Sequence, residues 1–144
     1  EVLAQHGLVD VLRDLKQPVL GICLGMQLLF ESSEEDDASL LGLIPARLRR
    51  LPDTPGLRVP HMGWNAIHNL RPDPLTGSLD EEWFYFVHSY AAPIGDWTLS
   101  SSVHGETFSA VVRRENFRGA QFHPERSAGA GAALLRHFME IPQQ

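Results

Sequence analysis

The chain has 144 residues, 43% of them hydrophobic and 21% charged, the composition of one globular domain long enough to bury a core. A formal net charge of −6, with "RLRR" at 47–50 as the one short basic cluster, argues against a nucleic-acid or acidic-membrane partner. One cysteine excludes an internal disulfide and fits a reducing, cytoplasmic compartment, and no signal peptide or apolar run of about 18 residues is visible.

Leu8, Val11, Leu12 and Leu15 follow the i, i+3, i+4, i+7 rule, which predicts an amphipathic helix over 8–16. After Pro18, "VLGI" is an unbroken apolar run suited to a strand buried on both faces. A helix is expected over 24–31, and "ESSEEDDAS" is an acidic loop with a further helix start near Ser39. From there the pattern turns to strands: "ARLRRL" alternates, "GWNAIHNL" ends at the turn-rich "RPDPLTG", and "WFYFV" reads as a buried strand. "WTLSSSV" and "FSAVVRR" follow, "ENFRG" reads as a tight connection into "GAQF", and 128–139 close the chain as a helix carrying Ala130, Leu134 and Phe138. The order predicts a three-layer α/β domain over 1–144.

The only thiol, Cys23, sits where the first strand meets the helix after it, with Gly21 and Gly25 at i−2 and i+2. G-x-C-x-G is the cysteine form of a nucleophile elbow, in which a sharp turn presents the side chain and the following amide, here of Leu24, can serve an oxyanion. A helix N-terminus also favours the thiolate. The elbow alone leaves Cys23 open between a small core residue and a nucleophile. Among seven histidines, His6, His68, His104 and His137 read as polar surface residues, and His61 and His88 are undecided. His123 differs, because "GAQFHPERS" ends a strand with His-Pro-Glu, and the proline fixes the path on which Glu125 turns back to orient the imidazole. By itself that segment reads first as a turn with a solvated carboxylate. Elbow and His-Pro-Glu together point to catalysis. The histidines show no zinc spacing and there is no nucleotide-binding glycine motif, so neither metal nor cofactor is expected.

"GICLGMQLLF" followed by "GAQFHPERS" resembles the class I (triad) glutamine amidotransferases, whose Cys-His-Glu triad hydrolyses glutamine to glutamate and ammonia. "PHMGWN" at 60–65 and "FYFVHSY" at 84–90 resemble, within that family, the glutaminase subunits of imidazole glycerol phosphate synthases. The resemblance implies a mixed, largely parallel sheet. It makes Cys23 the nucleophile, His123 the proton shuttle and Glu125 its orienter. It assigns Leu24, Gly25, Gln27, His88, Ser89 and Tyr90 to substrate binding, and Trp64, Asn65 and Arg126 to the face docked on a cyclase subunit in a heterodimer. L-glutamine would be the substrate. It also implies that a strand, a helix and a glycine-rich oxyanion loop would precede Glu1, leaving "PVLGI" as a sheet edge. The glutaminase of another amidotransferase, a γ-glutamyl hydrolase of the same fold and a non-catalytic docking module are the rival readings.

Overall fold

The computed structural model describes residues 8–37 and 39–142; His6 lies outside them. The chain runs as helix α1 (Leu8–Arg13), strand β1 (Val19–Ile22), helix α2 (Leu24–Gln27), β2 (Phe30–Ser33), a 3-10 turn (Glu35–Asp37), β3 (Ile44–Arg50), β4 (His61–Ala66), β5 (His68–Asn69), β6 (Trp83–His88), β7 (Tyr90–Ala91), β8 (Thr98–Val103), β9 (Thr107–Arg114), β10 (Phe117–Ala120), a second 3-10 turn (Pro124–Arg126) and α3 (Ala128–Met139). A five-stranded sheet has the order β1-β10-β9-β8-β5, flanked by a three-stranded sheet β2-β3-β7 and a two-stranded ribbon β4-β6.

Adjacent side chains of β1 enter different cores, as the strand pleat requires. Leu20 packs with Phe84, Phe86, Phe108, Phe122 and Leu134 of α3. Val19 packs with Met26, Phe30, Ile44 and Phe117, together with Leu12 of α1. Helices thus cover both faces of the sheet, giving the expected three layers. The sheet is mixed, but of the described pairings only β1–β10 and β2–β3 run parallel, so the largely parallel sheet that was expected is corrected. Short turns join β8, β9 and β10, and a short turn permits only an antiparallel return.

β1 pairs with β10 alone among the described residues and forms the end of its sheet, as "PVLGI" was expected to. Other local expectations need correction. The first helix stops at Arg13 instead of residue 16, and Leu15 N–H bonds back to Leu12 C=O in a tightened last turn. The helix expected over 24–31 ends at Gln27, and Phe30–Ser33 is a strand. Pairing with β3 at Phe30–Ile44 and Ser33–Leu48 captured that segment, a distant partner that overrides local periodicity. Ser39 bridges to Ser32 and starts no helix. The strand expected over 63–70 divides at Ile67 into β4 and β5, which pair with β6 and β8 respectively. "WFYFV" is buried only at alternate residues, leaving Trp83 56% exposed. Phe117 and Arg118, expected in a connection, already belong to β10.

Candidate active site

Gly21 permits the elbow. A Cβ there would lie 2.5 Å from the carbonyl carbon of Gly25, so no other residue lets α2 close this tightly on β1. The turn forces Cys23 to φ 54°, ψ −106°, a positive φ that costs a non-glycine residue about 1–3 kcal/mol. Two backbone bonds fix it: Cys23 N–H donates to Ala120 C=O at 2.7 Å, and Gln27 N–H donates to Cys23 C=O at 3.1 Å. The thiol donates to Val87 C=O at 3.7 Å and accepts from Gln121 Nε2 at 3.8 Å. Burial raises the thiol pKa above its ordinary value, and the Glu125 charge adds to this. The Leu24 amide and Gln121, both hydrogen-bonded to the sulfur, pull the other way without cancelling it. The resting group is therefore a neutral thiol.

β10 runs parallel beside β1, with Ile22 opposite Ala120, so His123 leaves its strand end next to Cys23. His123 Nδ1–H donates to Glu125 Oε2 at 2.8 Å, which leaves Nε2 as the ring nitrogen for proton exchange. Burial works against the Glu125 carboxylate, but its own backbone amide, His123 and Arg126 together hold its pKa below the ordinary value. β6 fastens both strand ends. His123 N–H donates to Tyr85 C=O at 2.9 Å, two residues from the carbonyl that receives the thiol. Ser127 Oγ locks the same corner, accepting from Tyr85 N–H at 2.9 Å and donating to His123 C=O at 2.6 Å. Cys23, His123 and Glu125 are thus brought to one place. Among the described residues the sulfur makes no hydrogen bond to His123; its proton rests on Val87.

The remaining expected residues divide. Leu24 directs its amide at the sulfur and its side chain, 68% exposed, outward. A Cβ on Gly25 would touch nothing within 4 Å, so the space beside it is open. Gln27 is buried, and its Nε2 donates to Tyr90 C=O at 3.0 Å and to Gln121 Oε1 at 3.1 Å. With Leu24 it also borders a cavity of about 300 Å³ that Cys23 does not line. The Ser89 carbonyl is taken by Leu51 N–H at 2.8 Å, and the Tyr90 carbonyl by Gln27 and by His88 Nδ1. Those two carbonyls serve the fold.

His88 is buried and meets His61 across β4 and β6. The tautomers follow from the partners: His88 Nδ1–H donates to the Tyr90 carbonyl, so its Nε2 accepts from His61 Nδ1–H at 3.1 Å. Burial lowers His61 to a pKa of about 3, assisted by His88 and His104, and lowers His88 to about 4. His104, expected on the surface, stacks on His61 at 4.2 Å.

The three residues expected at a docking face also divide. Trp64 is 49% exposed and meets Tyr85 edge-on, and the Arg126 guanidinium lies 4.4 Å over that Tyr85 ring. Met62 and Trp83 extend the same apolar face of the ribbon. Asn65, one residue on, points to the other face and donates to Val103 C=O at 2.8 Å. Sequence reasoning missed Gln121, Ser127 and the two β6 carbonyls. Gln121 left a signal, as the one polar residue inside "GAQF"; the carbonyls leave none.

Among the described residues no helix is long and apolar enough to cross a membrane. The sequence profile of the family described as "Glutamine amidotransferase class-I" matches residues 4–141. The chain is 51% identical over 139 residues to the imidazole glycerol phosphate synthase subunit HisH of Idiomarina loihiensis, covering 96% of this chain and 70% of that one. It is 51% identical over 140 residues, with the same coverage, to the subunit of the same name from Xylella fastidiosa. A glutamine amidotransferase crystal structure from Thermotoga maritima superposes with a TM-score of 0.61 at 17% identity, covering 96% of this chain and 54% of that one.

Proposed function

Since the chain belongs to the class-I glutamine amidotransferase family, we propose that it is the glutaminase subunit of an imidazole glycerol phosphate synthase, supplying ammonia for histidine biosynthesis. One observation supports this most strongly: a strained elbow cysteine and a carboxylate-held histidine leave adjacent parallel strands and are clasped by one edge of β6.

In this reading His123 Nε2 takes the Cys23 proton once the sulfur turns away from Val87, and the thiolate attacks the side-chain amide carbon of glutamine. The Leu24 amide stabilises the oxyanion. His123 then protonates the departing ammonia, leaving a γ-glutamyl thioester. Water, deprotonated by the same imidazole, hydrolyses that thioester to glutamate and restores the thiol. Glu125 holds the ring in the tautomer both steps need. Gly25 leaves room for the substrate; with the Ser89 and Tyr90 carbonyls taken up by the fold, its amino-acid end is assigned to Gln27 and the remaining backbone groups of His88–Tyr90. Ammonia passes to a cyclase subunit, which forms imidazole glycerol phosphate and AICAR. The Trp64–Tyr85–Arg126 face suits that subunit, having an aromatic anchor beside a cation. A cytoplasmic heterodimer completes the reading.

The thiol resting on Val87 favours low activity in the lone subunit and a rise when the cyclase binds. The test is synthesis by the complex from glutamine and, separately, from ammonium. Cys23→Ala lowers the first by roughly 10⁴-fold or more and leaves the second unchanged. Retained glutamine-driven synthesis overturns the triad. Cleavage of γ-glutamyl peptides in preference to glutamine supports the hydrolase instead. Trp64→Ala, in the same assay, weakens the response to added cyclase, and an unchanged response moves the docking face elsewhere.

A further inference from the structure

Gln121 lies in the core with no exposed surface, between the end of β10 and His123. A buried amide is costly unless both its ends are bonded. The oxygen end is settled, since Oε1 accepts from Gln27 Nε2 at 3.1 Å. At the nitrogen end the one acceptor among the described residues is Cys23 Sγ, at 3.8 Å, and no buried side-chain polar atom described is left without a partner. A fully buried donor is therefore held at the reacting atom by a hydrogen bond from the elbow helix.

We propose that Gln121 is a catalytic donor to the Cys23 thiolate, and that Gln27 holds it in position. The inference rests on Cys23 being the nucleophile. When the thiol gives up its proton, the Val87 carbonyl changes from acceptor to repulsive neighbour. The Leu24 and Gln121 N–H groups remain, and a hydrogen bond to an ionised acceptor is stronger than one to a neutral acceptor. The amide thus favours the charged form within a site whose burial opposes it. It also gives the elbow a donor from the residue that follows β10, separate from the backbone amide that must serve the oxyanion. Gln27, bonded at once to Tyr90 C=O and to Gln121, fixes the direction of that donor.

Cys23 is the only thiol in the chain, so the pH dependence of alkylation by iodoacetamide reads its ionisation without requiring turnover. Gln121→Met keeps the length of the side chain and removes both N–H groups. The expected result is a midpoint raised by about one pH unit, in protein whose circular dichroism and cooperative melting show it folded. A merely structural role lowers the melting temperature and leaves the midpoint in place, and that result overturns the proposal. If Gln121→Met does not fold, the unaltered chain decides. The Gln121 side-chain amide resonance, followed by ¹⁵N NMR, moves with the same midpoint as alkylation, and a resonance indifferent to that titration overturns the assignment. Loss of glutamine-driven synthesis in Cys23→Ala beside an unmoved alkylation midpoint in Gln121→Met refutes the role of Gln121 alone and leaves the glutaminase reading standing.

Discussion

The two ends of β10 carry buried polar side chains set up in opposite ways. Near its start Arg118, 3% exposed, meets Asp73 through Nε at 2.9 Å and Nη2 at 3.3 Å. Asp73 also accepts from Arg113 at 2.8 Å and from Leu75 N–H at 3.0 Å. Burial opposes that carboxylate, but the two guanidiniums and the amide hold its pKa below the ordinary value. Beyond the other end the sulfur has, besides the adjoining Leu24 amide, two long contacts, a raised pKa and a strained backbone. The first cluster is satisfied in a single state and holds the 70–80 connection to the sheet. The second is under-satisfied in its resting state, which leaves it free to change partners. One end of the strand is built to stay as it is and the other to change.

The largest stability effect follows from breaking the satisfied end. Asp73→Ala leaves Arg118 charged and buried without a partner, and costs about 3–5 kcal/mol, measured by urea unfolding. The alkylation midpoint of Cys23 stays where it was; a shift there shows that the two ends are coupled and breaks the contrast. A second effect is set by pH. His61 and His88 have native pKa values of about 3 and 4 against an ordinary 6.5. The unfolded chain therefore binds protons below about pH 6.5 that the native state refuses. Stability is full above that value and falls as the pH drops toward 4 and 3. Between pH 7 and 5 the loss is on the order of 4 kcal/mol for the two together, about 2 for each, and His61→Phe, stacked in the same place on Phe86, flattens the curve. An unchanged acid limb in that variant removes the pair from the account. The smallest effect has the opposite sign. Cys23→Gly relieves the positive φ and raises stability by about 0.5–1 kcal/mol while abolishing turnover. A loss of stability instead would mean that the elbow is not strained.

Much of the frame was legible in the residues. Val19–Ile22 and Ala128–Met139 have the expected bounds, because an unbroken apolar run and four-residue apolar spacing are local signals. Cys23, His123 and Glu125 were legible for the same reason, since glycine placement and His-Pro-Glu are short-range chemistry. Phe30–Ser33 was not, because what makes it a strand is Ile44 and Leu48, more than ten residues away. The His61–His88 pair depends on β4 and β6 aligning those two positions, and nothing in "PHMGWN" or "FVHSY" alone reveals that register. Gln121 was passed over because its two side-chain partners, Gln27 and Cys23, lie on a segment nearly a hundred residues earlier.

The clasp made by β6 also limits where this chain tolerates changes in length. Tyr85 and Val87 offer their carbonyls on one edge at a spacing of two residues, roughly 6.6 Å, while the other edge is taken by β4. One residue inserted between them would turn one of those carbonyls toward β4 and leave the nucleophile or the base without its anchor. One residue deleted would do the same. The exposed 55–58 loop between β3 and β4 carries no such phase and lengthens at little cost. Changes in length within β6 are therefore expected to abolish turnover while changes in such a loop are tolerated, since the strand's period of two is the ruler that spaces sulfur from imidazole.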